Sequence, residues 1–196
     1  MIEQKHSTRC NKCKTAIYSL LQNIFGTIEW KFKAENVSVH LEAYENSAIY
    51  KDLERIYFEL GRFRGNKEFV RSKNLQRCDL YVPSKKLIVE TDEYQHFTAA
   101  RIISLKKYPK YFPFGFDSTQ YIERCKNINS NDSDPEDRDE QRAWYDTIRD
   151  FLPLIIPTEV KKTIRIPLGF HCWCSLDVNN SVDIKTFKSL ALKGMK

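Results

Sequence analysis

Residues 78–97, CDLYVPSKKLIVETDEYQHF, put three acids, Asp79, Glu90 and Asp92, inside two short apolar runs separated by Pro83, Ser84, Lys85 and Lys86. Two apolar runs about a four-residue turn read as a β-hairpin. If Val82 pairs with Leu87 across that turn, Leu80 falls opposite Val89 and Asp79 opposite Glu90. The period of two along the second strand then puts Glu90 and Asp92 on the face of Ile88, with Leu87, Val89 and Thr91 on the other. Three carboxylates therefore converge on one patch. Like charges directly opposite in a sheet repel, with Cβ atoms about 4.5 to 5.5 Å apart, so something positive must offset them. A hard divalent cation that prefers oxygen ligands, Mg²⁺ or Mn²⁺, meets that need. The alternative is an exposed face whose acids pair with lysines, but the two runs are apolar enough to read as buried strands.

Outward from the hairpin, the pattern alternates between helical and strand periods. Residues 15–25 have apolar positions at helical spacing and stop at Gly26, and Ile28, Trp30 and Phe32 alternate with charged residues as a half-buried strand does. A helix over 47–62 is expected, with Ser47 as its cap and Ile49, Leu53, Ile56 and Leu60 as its buried stripe. Residues 66–76 read as a polar, basic loop, 98–107 as a helix stopped by Pro109, and 111–117 as a buried strand interrupted by Pro113 and Gly115. Residues 127–140, NINSNDSDPEDRDE, are dense in charge and poor in apolar side chains, which predicts a mobile loop. A helix over 141–152 with Trp144, Ile148, Phe151 and Leu152 buried, and a last strand over 163–170, complete the series. This order specifies an α/β fold, a mixed central sheet flanked by helices, in one domain spanning residues 1–196. Its core covers about 14–125, with 47–62 as an inserted helix and 141–196 as a C-terminal helix and strand region.

The formal net charge is +6, but six acids crowd between Asp132 and Glu140 with only Arg138 among them. With that stretch set aside, 31 basic residues face 20 acidic ones, a surplus that suits a polyanion, nucleic acid before membrane. No apolar run approaches the roughly 18 to 20 residues that span a bilayer, and the N-terminus lacks the apolar stretch of a signal peptide. A cytoplasmic setting follows as the expectation, with the six cysteines as thiols or metal ligands rather than disulfides. Cys10 and Cys13, and Cys172 and Cys174, are two close pairs that could together hold one tetrahedral Zn²⁺, with His171 as a substitute ligand; two unrelated pairs of buried thiols are the alternative. Cys78 and Cys125 read as core residues.

Asp79, followed after an apolar strand by Glu90-Thr91-Asp92, resembles the PD-(D/E)XK signature of the restriction-endonuclease-like nucleases. More narrowly, DLYVPSKKLIVETDEYQH is similar to a subgroup related to very-short-patch-repair endonucleases, whose pattern is Asp, a Glu eleven residues on, then x-Asp-Gly-x-Gln-His. Two positions depart from these patterns. Asp92 stands where the wider family has Lys, as it does in the subgroup, and Glu93 replaces the subgroup's Gly. The first helix also offers no acid to complete a metal site. The resemblance implies a restriction-endonuclease-like core and phosphodiester hydrolysis by a restriction- or repair-type enzyme. Asp79 and Glu90 would hold the metal, and Asp92 would be a further ligand or would orient the attacking water. His96 would serve as a base or a phosphate contact, unless it is merely structural, with Gln95 similarly placed. DNA is the expected partner, with a homodimer as one form the protein could take. Backbone contacts are expected from Arg101, Lys106 and Lys107, and from a second basic stretch, Arg62, Arg64, Lys67, Arg71 and Lys73, interleaved with Phe63 and Phe69. A nucleic-acid-binding protein that keeps the fold without cutting is the alternative function.

Overall fold

The computed structural model describes residues 6, 7, 9–66 and 68–195. Four strands form one mixed sheet in the order β1 (Glu29–Trp30), β2 (Leu80–Val82), β3 (Leu87–Asp92) and β4 (Lys162–Pro167). β2 pairs antiparallel with both β1 and β3, and β4 runs parallel to β3. The hairpin has the expected register, with Leu80 opposite Val89, Tyr81 opposite Ile88 and Val82 opposite Leu87. A short 3-10 turn, Pro83–Lys85, closes it, with Lys86 in the left-handed region.

Every residue of β3 is buried, because helices cover both faces of the sheet. Leu87 and Val89 pack with Leu80, Val82, Ile164 and Ile166 against α1 (Asn11–Phe25), which contributes Cys13, Ile17, Leu20 and Leu21. α6 (Ser181–Ala191), capped by Asn180, adds Phe187 to that layer. Ile88 and Tyr81 point the other way, toward α2 (Tyr50–Phe63), α3 (Ala99–Lys106) and the 18-residue α5 (Arg138–Ile155). There Leu53, Ile56 and Leu60 meet Trp144, Ile148, Phe151 and Leu152. The period of two therefore delivers Glu90 and Asp92 to the α5 side of the sheet.

Several expected elements differ. The strand over residues 28–32 shrinks to two residues, because Lys31 sits at φ 52° and breaks the alternation while its N–H bonds Asp79 O at 2.8 Å. The second helix starts at Tyr50: the Ser47 hydroxyl donates to Tyr44 O at 2.7 Å and closes a preceding turn instead of capping. Residues 111–117 form turns, not a strand. Gly115 there passes so close to β4 that a Cβ would lie 2.3 Å from Thr163 O, and Phe114 packs on Tyr108 and Phe151. α4 (Ser118–Ile128), capped by Asp117, and α6 were not anticipated. Within 127–140, α4 runs to Ile128 and α5 begins at Arg138, and the connection is clamped rather than loose. Asp137, Asp139 and Glu140 are buried, Arg71 pairs with Asp137 at 2.7 Å, and Arg64 grips Glu140. Composition hid this, because the neutralising arginines come from distant segments. Among the described residues, no helix is long and apolar enough to cross a membrane.

Candidate active site and metal cluster

The hairpin register brings the first two acids together. The Asp79 N–H donates to Glu90 Oε1 at 3.3 Å, and one Asp79 carboxylate oxygen accepts from the Thr91 N–H at 2.9 Å and from the Thr91 hydroxyl. Both acids line a cleft of about 280 Å³ between the ends of β2 and β3, the first turn of α1 and one side of α5. Gln95 and His96, from the 3-10 turn Tyr94–His96 that follows β3, line it too. Burial pushes the Glu90 carboxyl up to about 7; Arg149, whose Nε lies 3.6 Å away, opposes this and Asp79 adds to it.

Asp92 does not join them. Its side chain turns beneath the cleft, where Oδ1 accepts from Arg165 at 2.7 Å and Oδ2 is buried with no hydrogen-bond partner among the described residues. The expectation of three converging carboxylates is therefore corrected to two, with Asp92 part of a buried ionic cluster. Arg165 on β4, in register beside Glu90, lies between Asp92, Asp146 at 3.2 Å and Asp150 at 2.7 Å. All four are fully or nearly fully buried. His96 sits above this cluster, Nδ1 2.8 Å from Asp146 and 3.6 Å from Asp92. Burial works against a charge on His96, but Asp146 and Asp92 outweigh it and raise its pKa. Burial likewise works against a charge on Asp146, which Arg165 and His96 nonetheless hold well below the usual carboxylate range.

The basic residues expected to face DNA mostly do other work. Arg101 is buried, paired with Asp150 at 2.5 Å and bonded to Tyr108 at 2.8 Å, and cannot reach a phosphate. Arg64 and Arg71 hold Glu140 and Asp137, and Lys107 pairs with Glu59 at 3.1 Å. Arg62, Lys73 and Lys106 are exposed, and Lys67 lies outside the described residues. The cleft draws its positive charge from Lys14, Arg77, Arg138, Arg142 and Arg149. The signal for three of these was present in the sequence. Arg138, Arg142, Tyr145 and Arg149 recur at helical spacing, a polar stripe beside the apolar one on the same helix.

A second cluster lies at the start of α1, next to the turn that carries Lys14. Ligand atoms of His6, Cys10, Cys13 and Cys174 all lie within 4.8 Å of one another. Cys10 caps α1, accepting the Cys13 N–H at 3.3 Å, and His6 Nε2 approaches Cys174 Sγ to 3.5 Å. The hydrogen bond from His6 is the main cause that draws the Cys10 thiol down to about 6, whereas burial pushes Cys13 up to about 12. The expected pairing of the two chain ends is present, but His6, not Cys172, completes this group. Cys172 Sγ lies 3.6 Å from Cys174 Sγ, and His171 packs at a tilt against Trp173 outside the group. Cys78 and Cys125 are buried core residues, as expected.

Comparison with protein-family models, with curated proteins and with solved structures finds no match to this chain.

Proposed function

We propose that this chain is a metal-dependent DNA endonuclease of restriction or repair type, with a restriction-endonuclease-like core, hydrolysing phosphodiester bonds in the cleft above β2 and β3. The observation that carries the reading is the Asp79–Glu90 pair, opposed across a hairpin at the floor of a cleft walled by arginines. The donor set fits a hard cation: two carboxylates line one cleft, and burial pushes the Glu90 carboxyl up to about 7 because Arg149 and Arg165 do not fully offset its charge. Asp79 and Glu90 would hold a divalent cation such as Mg²⁺ or Mn²⁺, which would supply Lewis-acid polarisation of the scissile phosphate and acidification of a bound water.

The chain's own residues do the rest. Arg149 sits beside Glu90 and provides the positive charge that Asp92, turned toward Arg165, does not. His96, oriented by Asp146, presents its other ring nitrogen for proton transfer or for a phosphate oxygen. Lys14, Arg77, Arg138 and Arg142 attract the backbone of the polyanion. Nicking of supercoiled plasmid with Mg²⁺ or Mn²⁺, wild type beside Glu90→Ala, tests this. Cleavage by wild type alone is the expected result, and equal cleavage by both removes the chemistry from this cleft.

One observation favours a second reading, a nucleic-acid-binding protein that does not cut. Asp92 takes the position at which the wider family carries a lysine, and it is locked beneath the cleft by Arg165. DNA binding without cleavage in either protein selects this reading.

A further inference from the structure

We propose that His6, Cys10, Cys13 and Cys174 bind one structural Zn²⁺ that staples the start of α1 to the segment following β4. Three thiolates and an imidazole form a soft donor set that selects zinc among abundant divalent ions. The geometry already fits. For Zn–S near 2.3 Å and Zn–N near 2.0 Å, a tetrahedron has S–S edges of about 3.8 Å and N–S edges of about 3.5 Å. The His6 Nε2 to Cys174 Sγ distance is 3.5 Å, and the four donor atoms fall within 4.8 Å of one another. The Cys13 N–H directed at Cys10 Sγ gives that thiolate a backbone donor, the outer-sphere support expected of a bound ligand. All of these cysteines are free thiols, and the His6 N–H is tied to Gly169 O at 3.3 Å, next to the turn that carries Cys174.

The staple joins segments far apart in sequence. His6, Cys10 and Cys13 precede or open α1, whereas Cys174 belongs to the 3-10 turn Trp173–Ser175, whose Trp173 is buried against Phe187 of α6. Lys14, one residue past Cys13, reaches Glu93 at 2.9 Å on the rim of the cleft. Zinc would thus fix the helix turn that forms one wall of the proposed nuclease site, while its own existence does not depend on that site being catalytic.

The test is metal content, not cleavage. Full-length protein purified without chelator should carry about one zinc per chain by elemental analysis. Co²⁺ exchanged into it should show tetrahedral ligand-field bands and thiolate charge transfer. His6→Ala should weaken zinc, in competition with a chromophoric chelator, by more than the roughly 10–100-fold typical of losing an outer-sphere partner. Cys174→Ser should do the same, and Cys172→Ser should retain the metal. His6 and Cys172 are only half-buried, so both variants are expected to fold, with circular dichroism as the control. Wild type without zinc overturns the proposal. So does zinc that survives His6→Ala but is lost in Cys172→Ser, which would assign the site to four cysteines.

Discussion

Glu90→Gln should stabilise the metal-free protein, by an amount that grows with pH. The Glu90 carboxyl is 5% exposed and titrates at about 7 instead of 4.5. Burial is the main cause, Arg149 opposes it, Asp79 and Asp92 add to it, and Arg165 opposes it from β4. A carboxyl whose folded value lies above its unfolded one holds its proton more tightly when folded. Below pH 4.5 both states are protonated and the group costs nothing. Between 4.5 and 7 the unfolded chain ionises first, so stability is lost as pH rises, and above 7 the loss is complete. At roughly 1.4 kcal/mol per pH unit, the full difference is about 3 kcal/mol. Glutamine keeps the shape and cannot ionise, and Arg149 retains Asp146 at 3.5 Å as a partner. Urea melts of both proteins from pH 5 to 8, without added divalent metal, should show the advantage of Glu90→Gln widening by about 2 to 3 kcal/mol. Adding Mg²⁺ at pH 8 should then stabilise wild type and leave Glu90→Gln unmoved. A difference that stays flat with pH refutes the reasoning. A variant that becomes relatively weaker at pH 8 would mean that Glu90 is a salt-bridge acid for Arg149.

Other residues give contrasting outcomes. Arg165→Met strands Asp92, Asp146 and Asp150 without their shared cation and should cost about 3 to 5 kcal/mol in urea melts, whereas Arg62→Ala at an exposed position should stay within about 0.5 kcal/mol. Arg77→Ala should weaken DNA binding and lower the salt slope by about one, and Arg101→Ala should leave the slope unchanged while lowering the melting temperature. Asp146→Asn should lower the His96 pKa, read by NMR titration, because the acid that raises it is gone; His96→Ala should cost on the order of 10²-fold in cleavage. Removing residues 129–139 should lower the melting temperature markedly, since Asp137 and Asp139 are buried partners of Arg71, Arg64 and Arg142.

What the sequence made legible divides along a physical line. The hairpin register, the helices α1, α2, α3 and α5 and the mixed sheet rest on local periodicity and turn chemistry, which a short window carries. Asp79 opposite Glu90 followed from counting residues across one turn. Where a charge finds its partner is a long-range matter, and there local reading failed. Arg101 has the spacing of a surface cation on its helix, yet its partner is Asp150, 49 residues away. Glu140 sits in an acidic run whose composition reads as a mobile loop, yet Arg64 reaches it across 76 residues. The α4 and α6 helices start at caps, Asp117 and Asn180, and each buries only two side chains, Tyr121 and Cys125 in one and Phe187 and Ala191 in the other, too few to mark a core-facing stripe.

The buried ionic cluster explains why Asp92 could be misjudged from its position alone. Period two places it on the face of Glu90, which is correct, but the two lie one strand repeat apart and meet different neighbours. Glu90 comes level with the end of β2, where Asp79 and the cleft leave one side open. Asp92 lies beyond the end of β2, under the turn that carries His96 and beside Arg165. Burying three carboxylates and an arginine is costly unless the geometry is good and the hydrogen bonds are filled, and replacing such a cluster by apolar residues is often neutral or stabilising. Its retention here has a geometric consequence: Asp146 is fixed by Arg165 and in turn fixes the His96 ring at the edge of the cleft. If Asp92, Arg165 and Asp146 serve to hold that imidazole, Asp92→Asn should affect cleavage chiefly through the pH at which His96 titrates. Loss of a metal ligand would instead raise the Mg²⁺ concentration needed for half-maximal activity. A metal dependence that shifts while the pH profile stays in place would return Asp92 to the metal site.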